Sequence, residues 1–295
     1  MLADSPSSLG DSLPAPGSGK GLRFLLKQTF HYEYTGAVQA LRQRLIAIPP
    51  EQHGDQQRIF YQVSLSAQGV APEWSEDPFG NLLATIAIPT VARSVSFSVE
   101  AVVERDHLWS EAVLPKPATE RAVYLPPTKL TAADGRLMNF AHRVRNGAAN
   151  EVEAAERICE EVHRAVPYQK GVTGVATTAM EAFELGAGVC QDHAHIMLAM
   201  CRAVGISARY ISGHLLGEGA THAWVEVLAA SAEDGEATRA FAFDPCYGRK
   251  PDARYVTIAV GRDYSDVSPT SGTYIGSAQN RLSASAHLRV EPRGL

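Results

Sequence analysis

The sequence lacks the long apolar runs and the dense cysteine pattern that mark two large classes of protein. No window of the 295 residues approaches a run of about 18 apolar residues, so we expect no membrane-spanning helix. The four cysteines form no CxxC pair, which argues against a disulfide scaffold and against a finger-type zinc site. The net charge of −5 gives no general attraction to nucleic acid or to an anionic membrane surface. We therefore expect neither as a partner.

The first 20 residues offer little that a folded core would bury. They are rich in Ser, Gly, Pro and Asp, and residues 1–20 are predicted to be disordered. The segment has no basic region followed by an apolar one, so it does not resemble a secretory signal peptide. The sequence thus predicts a cytoplasmic protein with reduced thiols.

Residues 21–113 carry mostly β-type patterns. Turn signals such as Asp77–Asn81 separate short segments that are rich in aromatic and β-branched residues. These segments are Phe24–Tyr34, Ile59–Leu65, Leu83–Ile88 and Val95–Val103. The spacing predicts an N-terminal antiparallel β-sandwich-like domain, and the proline-rich residues 114–130 are predicted to be a linker.

The patterns in residues 131–295 predict helices followed by strands, an α+β order. Asn150 is a candidate N-cap for a helix with an apolar stripe through Ile158 and Val162, and a second apolar helix is predicted from Cys190 to Val204. The predicted strands are Ala208–Leu215, His222–Leu228, Ala240–Asp244, Tyr255–Val260, Gly272–Gly276 and Ala284–Val290. We expect a catalytic domain in which helices pack on an antiparallel sheet.

One thiol stands where a helix begins. Cys190 follows a glycine-containing turn, Gly186–Val189, and leads directly into the predicted apolar helix. Unpaired backbone N–H groups and the helix dipole at such a position favour thiolate over thiol. The surroundings of Cys190 therefore indicate a nucleophile.

A thiolate nucleophile needs a histidine to exchange protons with, and that histidine needs an orienting carboxylate. His222 begins one predicted strand and Asp244 ends the next. Neighbouring antiparallel strands can bring the two side chains together. The sequence thus predicts a triad in the chain order Cys190, His222, Asp244.

These motifs, taken together, resemble the bacterial transglutaminase-like superfamily, whose core is papain-like. The resemblance rests on GVCQDHAH, THAWVEV and FDP, with VPYQK and ATTAME before the cysteine and VGRDYSDVSP near the end. In the first half, FHYEY and DPFGN resemble the β-rich N-terminal region that is often fused to this core. Roughly residues 22–292 are covered.

The resemblance implies a cysteine-dependent amide-bond enzyme that works through a thioester acyl-enzyme. Cys190 would be the nucleophile, His222 the general acid and base, and Asp244 the residue that orients the histidine. Tyr168 and Gln191 are candidates for oxyanion stabilisation, and Trp224 for substrate contact. A peptidase or amidase is expected, on a peptide, protein, amide or thioester substrate and without a cofactor. An acyltransferase or cyclase with the same triad is the alternative, and a non-catalytic peptide-binding module is a third reading.

The two histidines close to Cys190 suggest metal binding as an alternative to nucleophilic catalysis. Cys190 and His193 can share a helix face, but His193 and His195 cannot, so we expect no metal site.

Two positions depart from the family pattern. His193 stands where an aromatic residue is usual, and Cys246-Tyr247 replaces a common Thr-Asn. We expect Cys246 to be structural, with an oxidative disulfide to Cys190 as the alternative. The β-rich half is either scaffold or a docking surface for a partner.

Overall fold

The computed structural model describes residues 21–105, 112–113, 119–230 and 238–291. The segment 1–20, which we predict to be disordered, lies outside the described residues, as do residues 114–118 of the predicted linker. Across the described ranges, no helix combines the length and the apolar character needed to cross a bilayer.

The fold is α+β, with β-rich first and last parts around a helical middle. The first strands are β1 (Leu22–Tyr34), β2 (Val38–Leu45), β3 (Gln52–His53), β4 (Gln56–Leu65), β5 (Glu73–Glu76), β6 (Leu82–Val91), β7 (Ser94–Arg105) and β8 (Ala112–Val113). The helices α1 (Thr119–Val123), α2 (Gly135–Arg145), α3 (Glu151–Ala165), α4 (Ala179–Leu185) and α5 (Cys190–Ala203) follow. The chain continues with β9 (Ala208–Leu215), β10 (Thr221–Ala230), β11 (Thr238–Phe243), β12 (Tyr255–Gly261), α6 (Tyr264–Val267), β13 (Thr270–Ile275) and β14 (Asn280–Glu291).

Two antiparallel sheets share one core and form the predicted sandwich. Their strand orders are β14-β1-β7-β4-β3 and β13-β2-β6-β5. Every second residue of β7 is buried, which is the period-2 pattern of a strand with one covered face. Phe30 and Phe97 from one sheet meet Leu41 and Ile86 from the other in a common buried cluster.

The sandwich is completed by the end of the chain. β14 pairs with β1 along its whole length, and β13 pairs with β2. The predicted boundary of 131–295 assigns both strands to the predicted catalytic domain, whereas their pairing places them beside the first strands of the chain. Local patterns identify a strand but not its distant partner, because pairing across more than 200 residues leaves no local signal.

The part of the chain that the sequence predicts to be catalytic contains a third antiparallel sheet with helices packed against it. Its strand order is β12-β9-β10-β11-β8. The central helix α5 is buried from Asp192 to Arg202, so it lies inside the fold rather than on its surface. α3 starts at Asn150, whose side chain accepts a hydrogen bond from the Glu153 backbone N–H, as the N-cap assignment predicts.

The described part of the predicted linker packs on this half. Tyr124 is buried, and its carbonyl accepts a hydrogen bond from Arg202 Nε at 2.9 Å. The carbonyl of Leu130 accepts one from the Ala179 backbone N–H at 2.8 Å. Proline content alone indicates an extended path, but buried backbone groups along that path must find partners, and here α4 and α5 supply them.

Side-chain amides of the sandwich cover the edge strand β12. Gln56 pairs with the backbone of Thr257 in both directions, each at 2.8 Å. Asn81 does the same with Val260, at 2.7 and 2.8 Å. Asp77 holds Asn81 in place through a turn whose backbone N–H groups donate to its carboxylate. The DPFGN motif therefore satisfies an edge that would otherwise leave backbone groups unpaired.

A buried charged network joins the two halves. Glu226 on β10 accepts from Arg209 Nε and from His53 Nε2, each at 2.8 Å, and its side chain is 1% exposed. Burial alone would raise the pKa of Glu226, but the charges of His53 and Arg209 lower it to about 2. The carboxylate is therefore ionised inside the fold.

We expect Glu226→Gln to lower the free energy of unfolding by about 3 kcal/mol near neutral pH, because it leaves the buried Arg209 without this carboxylate. The folded pKa lies below the ordinary value of 4.5, so the stabilisation is full above that value and disappears as the pH falls towards about 2. Urea unfolding at several pH values measures the difference, which should narrow in acid. Glu100→Gln, at a half-exposed pair with Lys27, is the control. A loss that stays constant down to acid pH would contradict the ionised state.

Candidate active site

Cys190 is the first residue of α5, at the end of a tightly fixed turn. Gly186 closes α4 in the left-handed conformation at φ 66°. A side chain at Gly188 would collide with Asp192, whose Oδ2 accepts hydrogen bonds from Val189 N at 2.7 Å and Thr173 Oγ1 at 2.6 Å. The thiol is partly exposed at the helix N-terminus, where unpaired N–H groups favour a negative charge.

The structure brings His222 and Asp244 together. Val225 of β10 lies opposite Phe243 of β11, so the antiparallel register carries the next residue, Asp244, to the start of β10. His222 Nε2 lies 2.8 Å from Asp244 Oδ2, and both side chains are almost fully buried. This is the juxtaposition that the sequence predicts.

Asp244 is fixed by three further hydrogen bonds. Oδ1 accepts from the backbone N–H groups of Cys246 at 2.9 Å and Tyr247 at 3.2 Å. Oδ2 accepts from the hydroxyl of Tyr255 at 2.7 Å. All of these groups donate, so the site is built for a carboxylate and fixes its orientation towards His222.

The His222 ring is held in its charged form. Burial alone would lower its pKa, but hydrogen bonds with Asp244, the Cys190 thiol and Glu218 raise the pKa to about 12. Since Asp244 occupies Nε2, Nδ1 faces the thiol and Glu218, whose Oε2 lies 3.3 Å away. An imidazolium beside a thiol at a helix N-terminus favours a thiolate–imidazolium pair.

The other three thiols are buried, Cys159 and Cys201 in the hydrophobic core and Cys246 beside Asp244. Burial raises the pKa of Cys201 to about 12 and raises the pKa of Cys159 and Cys246 further. All four cysteines are free in the structure, and Cys190 is the one that is not buried. The three buried thiols can therefore serve as internal references when the reactivity of Cys190 is measured.

The three candidate substrate and oxyanion residues lie in different places relative to Cys190 and His222. Tyr168 is 52% exposed and lies within electrostatic range of Cys190. The Gln191 side chain donates to the carbonyl of Val175 at 3.3 Å, away from the thiol. Trp224 is fully buried beneath His222, at a ring distance of 6.3 Å, so its placement supports the histidine rather than a substrate.

Sequence reasoning missed two residues of the site. Tyr255 bonds Asp244 from β12, and Glu218 bonds His222 from the loop before β10. Tyr255 carries no local signal because its role depends on sheet order. Glu218 stands four residues before His222, and only the hairpin geometry turns its side chain towards the ring.

The two helical histidines are held by the backbone. Both ring nitrogens of His193 lie near carbonyl oxygens, of Val189 at 2.8 Å and of Val166 at 2.6 Å. His195 Nε2 accepts from the Tyr264 backbone N–H at 3.2 Å, and burial lowers the pKa of His195 to about 4. Their contacts match the structural role expected for His195.

Two protein-family models match the chain. The core model of the transglutaminase-like superfamily matches residues 138–241, which include Cys190 and His222. The model of the bacterial transglutaminase-like N-terminal region matches residues 25–104.

Matches to similar proteins cover up to 96% of the chain. An uncharacterized protein of Mycobacterium bovis is 25% identical and covers 96% of this chain and 95% of its own length. One from Mycobacterium leprae is 32% identical over 169 residues, 54% of this chain, and the match spans only 55% of that protein. The crystal structure of a candidate cysteine protease from Cytophaga hutchinsonii superposes with a TM-score of 0.74 at 20% identity, covering 94% of this chain and 93% of that one, which shows a shared fold. The chain belongs to the transglutaminase-like superfamily, with the bacterial transglutaminase-like N-terminal region preceding the core.

Proposed function

We propose that the protein is a cysteine-dependent amide-bond hydrolase that works through a thioester acyl-enzyme. The observation that carries the proposal is the hydrogen-bonded series from Cys190 through His222 to Asp244, with the thiol at the start of a buried helix. A thiol, a base and an orienting carboxylate in this order are the parts that nucleophilic acyl transfer requires.

In the first half-reaction the Cys190 thiolate attacks the substrate carbonyl carbon. The carbonyl π electrons move to oxygen, and the Cys190 backbone N–H, with the Tyr168 hydroxyl as a second candidate donor, stabilises the oxyanion. His222 then gives its Nδ1 proton to the leaving nitrogen as the C–N bond breaks. An amine departs and a thioester remains on Cys190.

In the second half-reaction a water molecule attacks the thioester. His222, now neutral, takes one proton from the water as the C–O bond forms, and the C–S bond breaks to return the thiolate. An acid is released, and no cofactor enters the cycle. Transfer or cyclisation follows the same path with an amine in place of water, so product analysis with and without an added amine separates the two activities.

Selective labelling of Cys190 tests the proposed chemistry. Iodoacetamide near pH 6 to 7 should alkylate Cys190 and spare the buried Cys159, Cys201 and Cys246. An activated ester such as p-nitrophenyl acetate should add one acetyl group transiently to Cys190, which acid quenching traps before hydrolysis and which hydroxylamine removes. Intact-mass and peptide-mass measurements read both adducts.

A Cys190 that reacts no faster than a peptide thiol, and that gains no acyl group, would leave the binding-module reading in place. The β-rich half cannot be tested by deleting its first strands, because β13 and β14 pair with β2 and β1. A cytoplasmic location stays a prediction, which mass spectrometry of separated cell fractions tests.

A further inference from the structure

A second carboxylate reaches His222 from the side of the thiol. Glu218 lies in the hairpin between β9 and β10, next to Gly217, whose φ of 93° allows the sharp turn. Its Oε2 is 3.3 Å from His222 Nδ1, and its Oε1 accepts from the Tyr247 hydroxyl at 2.5 Å. The side chain is 29% exposed, so it faces both the ring and solvent.

Glu218 is ionised and can accept further hydrogen bonds. Burial would raise its pKa, but the hydrogen bond and charge of His222 lower it below the ordinary value. Among the residues that the structure describes, its ion pair is with His222, and no lysine or arginine joins it. A carboxylate accepts several hydrogen bonds, and this one uses one oxygen for Tyr247 and the other for the ring.

An exposed aromatic residue lies near the same groups. Tyr168 is 52% exposed, and the groups that raise its pKa after burial are Cys190, Cys246 and Glu218. The Tyr168 hydroxyl is therefore close enough to interact electrostatically with both the thiol and the Glu218 carboxylate. A carboxylate together with an aromatic face is a favourable setting for an ammonium or guanidinium group.

His222 Nδ1 also determines which part of a substrate lies here. In the proposed reaction this nitrogen gives its proton to the leaving amine, so substituents of that amine lie close to Nδ1. Glu218, at 3.3 Å from the same atom, lies beside the leaving group rather than beside the acyl group. The released amine is itself an ammonium ion at neutral pH, and Glu218 can accept its hydrogens.

We propose that Glu218 makes the site selective for substrates with a cationic group on the leaving-amine side, close to the scissile nitrogen. The proposal rests on the proposed cysteine chemistry, because the leaving-amine side is defined by His222. A purely structural Glu218 would orient His222 and change every reaction of Cys190 alike, whereas a recognition carboxylate separates reagents by their charge.

Three small thiol reagents of different charge test the selectivity without a known substrate. The methanethiosulfonates with a 2-aminoethyl, a methyl and a 2-sulfonatoethyl group each transfer their alkylthio group to the thiolate and release methanesulfinate. Rates at Cys190 are read by peptide mass spectrometry and divided by rates for a free cysteine peptide. The full-length protein is used at low salt.

The wild type should react faster with the cationic reagent than with the anionic one. Glu218→Gln should lower that ratio about tenfold, since one unit charge a few ångströms away changes each rate by a few-fold in opposite directions. About 1 M salt, with a Debye length of about 3 Å, should reduce the ratio in the wild type too. Glu218→Asp should keep the preference, and Glu100→Gln on β7 should leave it unchanged.

The outcomes separate the two proposals. A wild type with no charge preference, or a ratio that survives both Glu218→Gln and high salt, overturns the role of Glu218 while Cys190 remains reactive. A Cys190 unreactive to all three reagents overturns the proposed function itself, and the selectivity falls with it. If Glu218→Gln does not fold, the salt dependence of the wild type and the Glu218→Asp ratio decide.

Discussion

Cys190→Ala is expected to abolish acylation by any ester or amide substrate, because the thioester cannot form without the sulfur. Cys190→Ser should retain no more than about one part in 10⁴ of the activity, since a hydroxyl is far less ionised beside the same imidazolium. Burst kinetics with an activated ester, together with intact-mass measurement of the acyl adduct, gives both values.

Cys201→Ala is the matched control for this experiment. Cys201 lies on the same helix α5, is fully buried and lies within the hydrophobic core. Its removal should cost some stability, seen as a lower melting temperature, and should leave the rate per folded molecule unchanged. Equal losses in both variants would mean that damage to α5, and not loss of the nucleophile, explains the result.

The local elements are the part of the fold that the sequence predicts well. β9 is predicted and observed as Ala208–Leu215, and α5 begins at Cys190 in both. β9 is buried throughout and α5 is buried from Asp192 to Arg202, and each segment follows a glycine that marks where the previous element ends. α2 and β2 are not predicted, since the first is short and polar on its exposed side and the second alternates with charged residues.

Long-range pairing is the part that the sequence does not reveal. β14 lies beside β1 although some 250 residues separate them along the chain, and nothing local distinguishes this edge strand from a further strand of the sheet that carries His222. The same limit applies to the site. His222 and Asp244 can be matched because they end neighbouring strands, whereas Tyr255 and Glu218 reach them through sheet order and a hairpin turn.

The site is asymmetric in charge, which has a consequence for its chemistry. Asp244 bonds one nitrogen of His222, while the thiol and Glu218 share the other. The first carboxylate is buried and surrounded by donors, so it serves the ring alone. The second is partly exposed and, in the proposed reaction, lies on the side of the leaving amine. Asp244 contacts the imidazole ring from within the fold, and Glu218 is the carboxylate that we propose recognises a cationic substrate group.

Asp244→Asn is expected to lower the rate of acylation by about 10³ to 10⁴, by the loss of the correct histidine tautomer. The Asn oxygen must stay with the backbone N–H groups of Cys246 and Tyr247, which already donate to Oδ1. Its NH₂ group then faces His222 Nε2 and the Tyr255 hydroxyl, where a carboxylate oxygen had accepted. Nε2 must become the acceptor, and the proton moves to Nδ1.

A ring with its proton fixed on Nδ1 cannot take one from the Cys190 thiol. Removing the Asp244 charge also removes an electrostatic interaction that raises the pKa of His222. Both effects push thiolate formation to higher pH, so the iodoacetamide profile of Cys190 should shift in the alkaline direction. Stopped-flow acylation and alkylation rates between about pH 5 and pH 9 measure the two effects together.

Tyr255→Phe is the matched control for Asp244→Asn, because it removes one donor to Oδ2 and leaves the carboxylate in place. It should cost less activity, about tenfold to a hundredfold, because it removes one hydrogen bond to a charged group. Glu218 still lies 3.3 Å from Nδ1 in both variants, so it cannot account for the difference between them. An Asp244→Asn enzyme as fast as Tyr255→Phe, with an unshifted alkylation profile, would show that the carboxylate does not orient His222, and the proton pathway would then need a different acceptor.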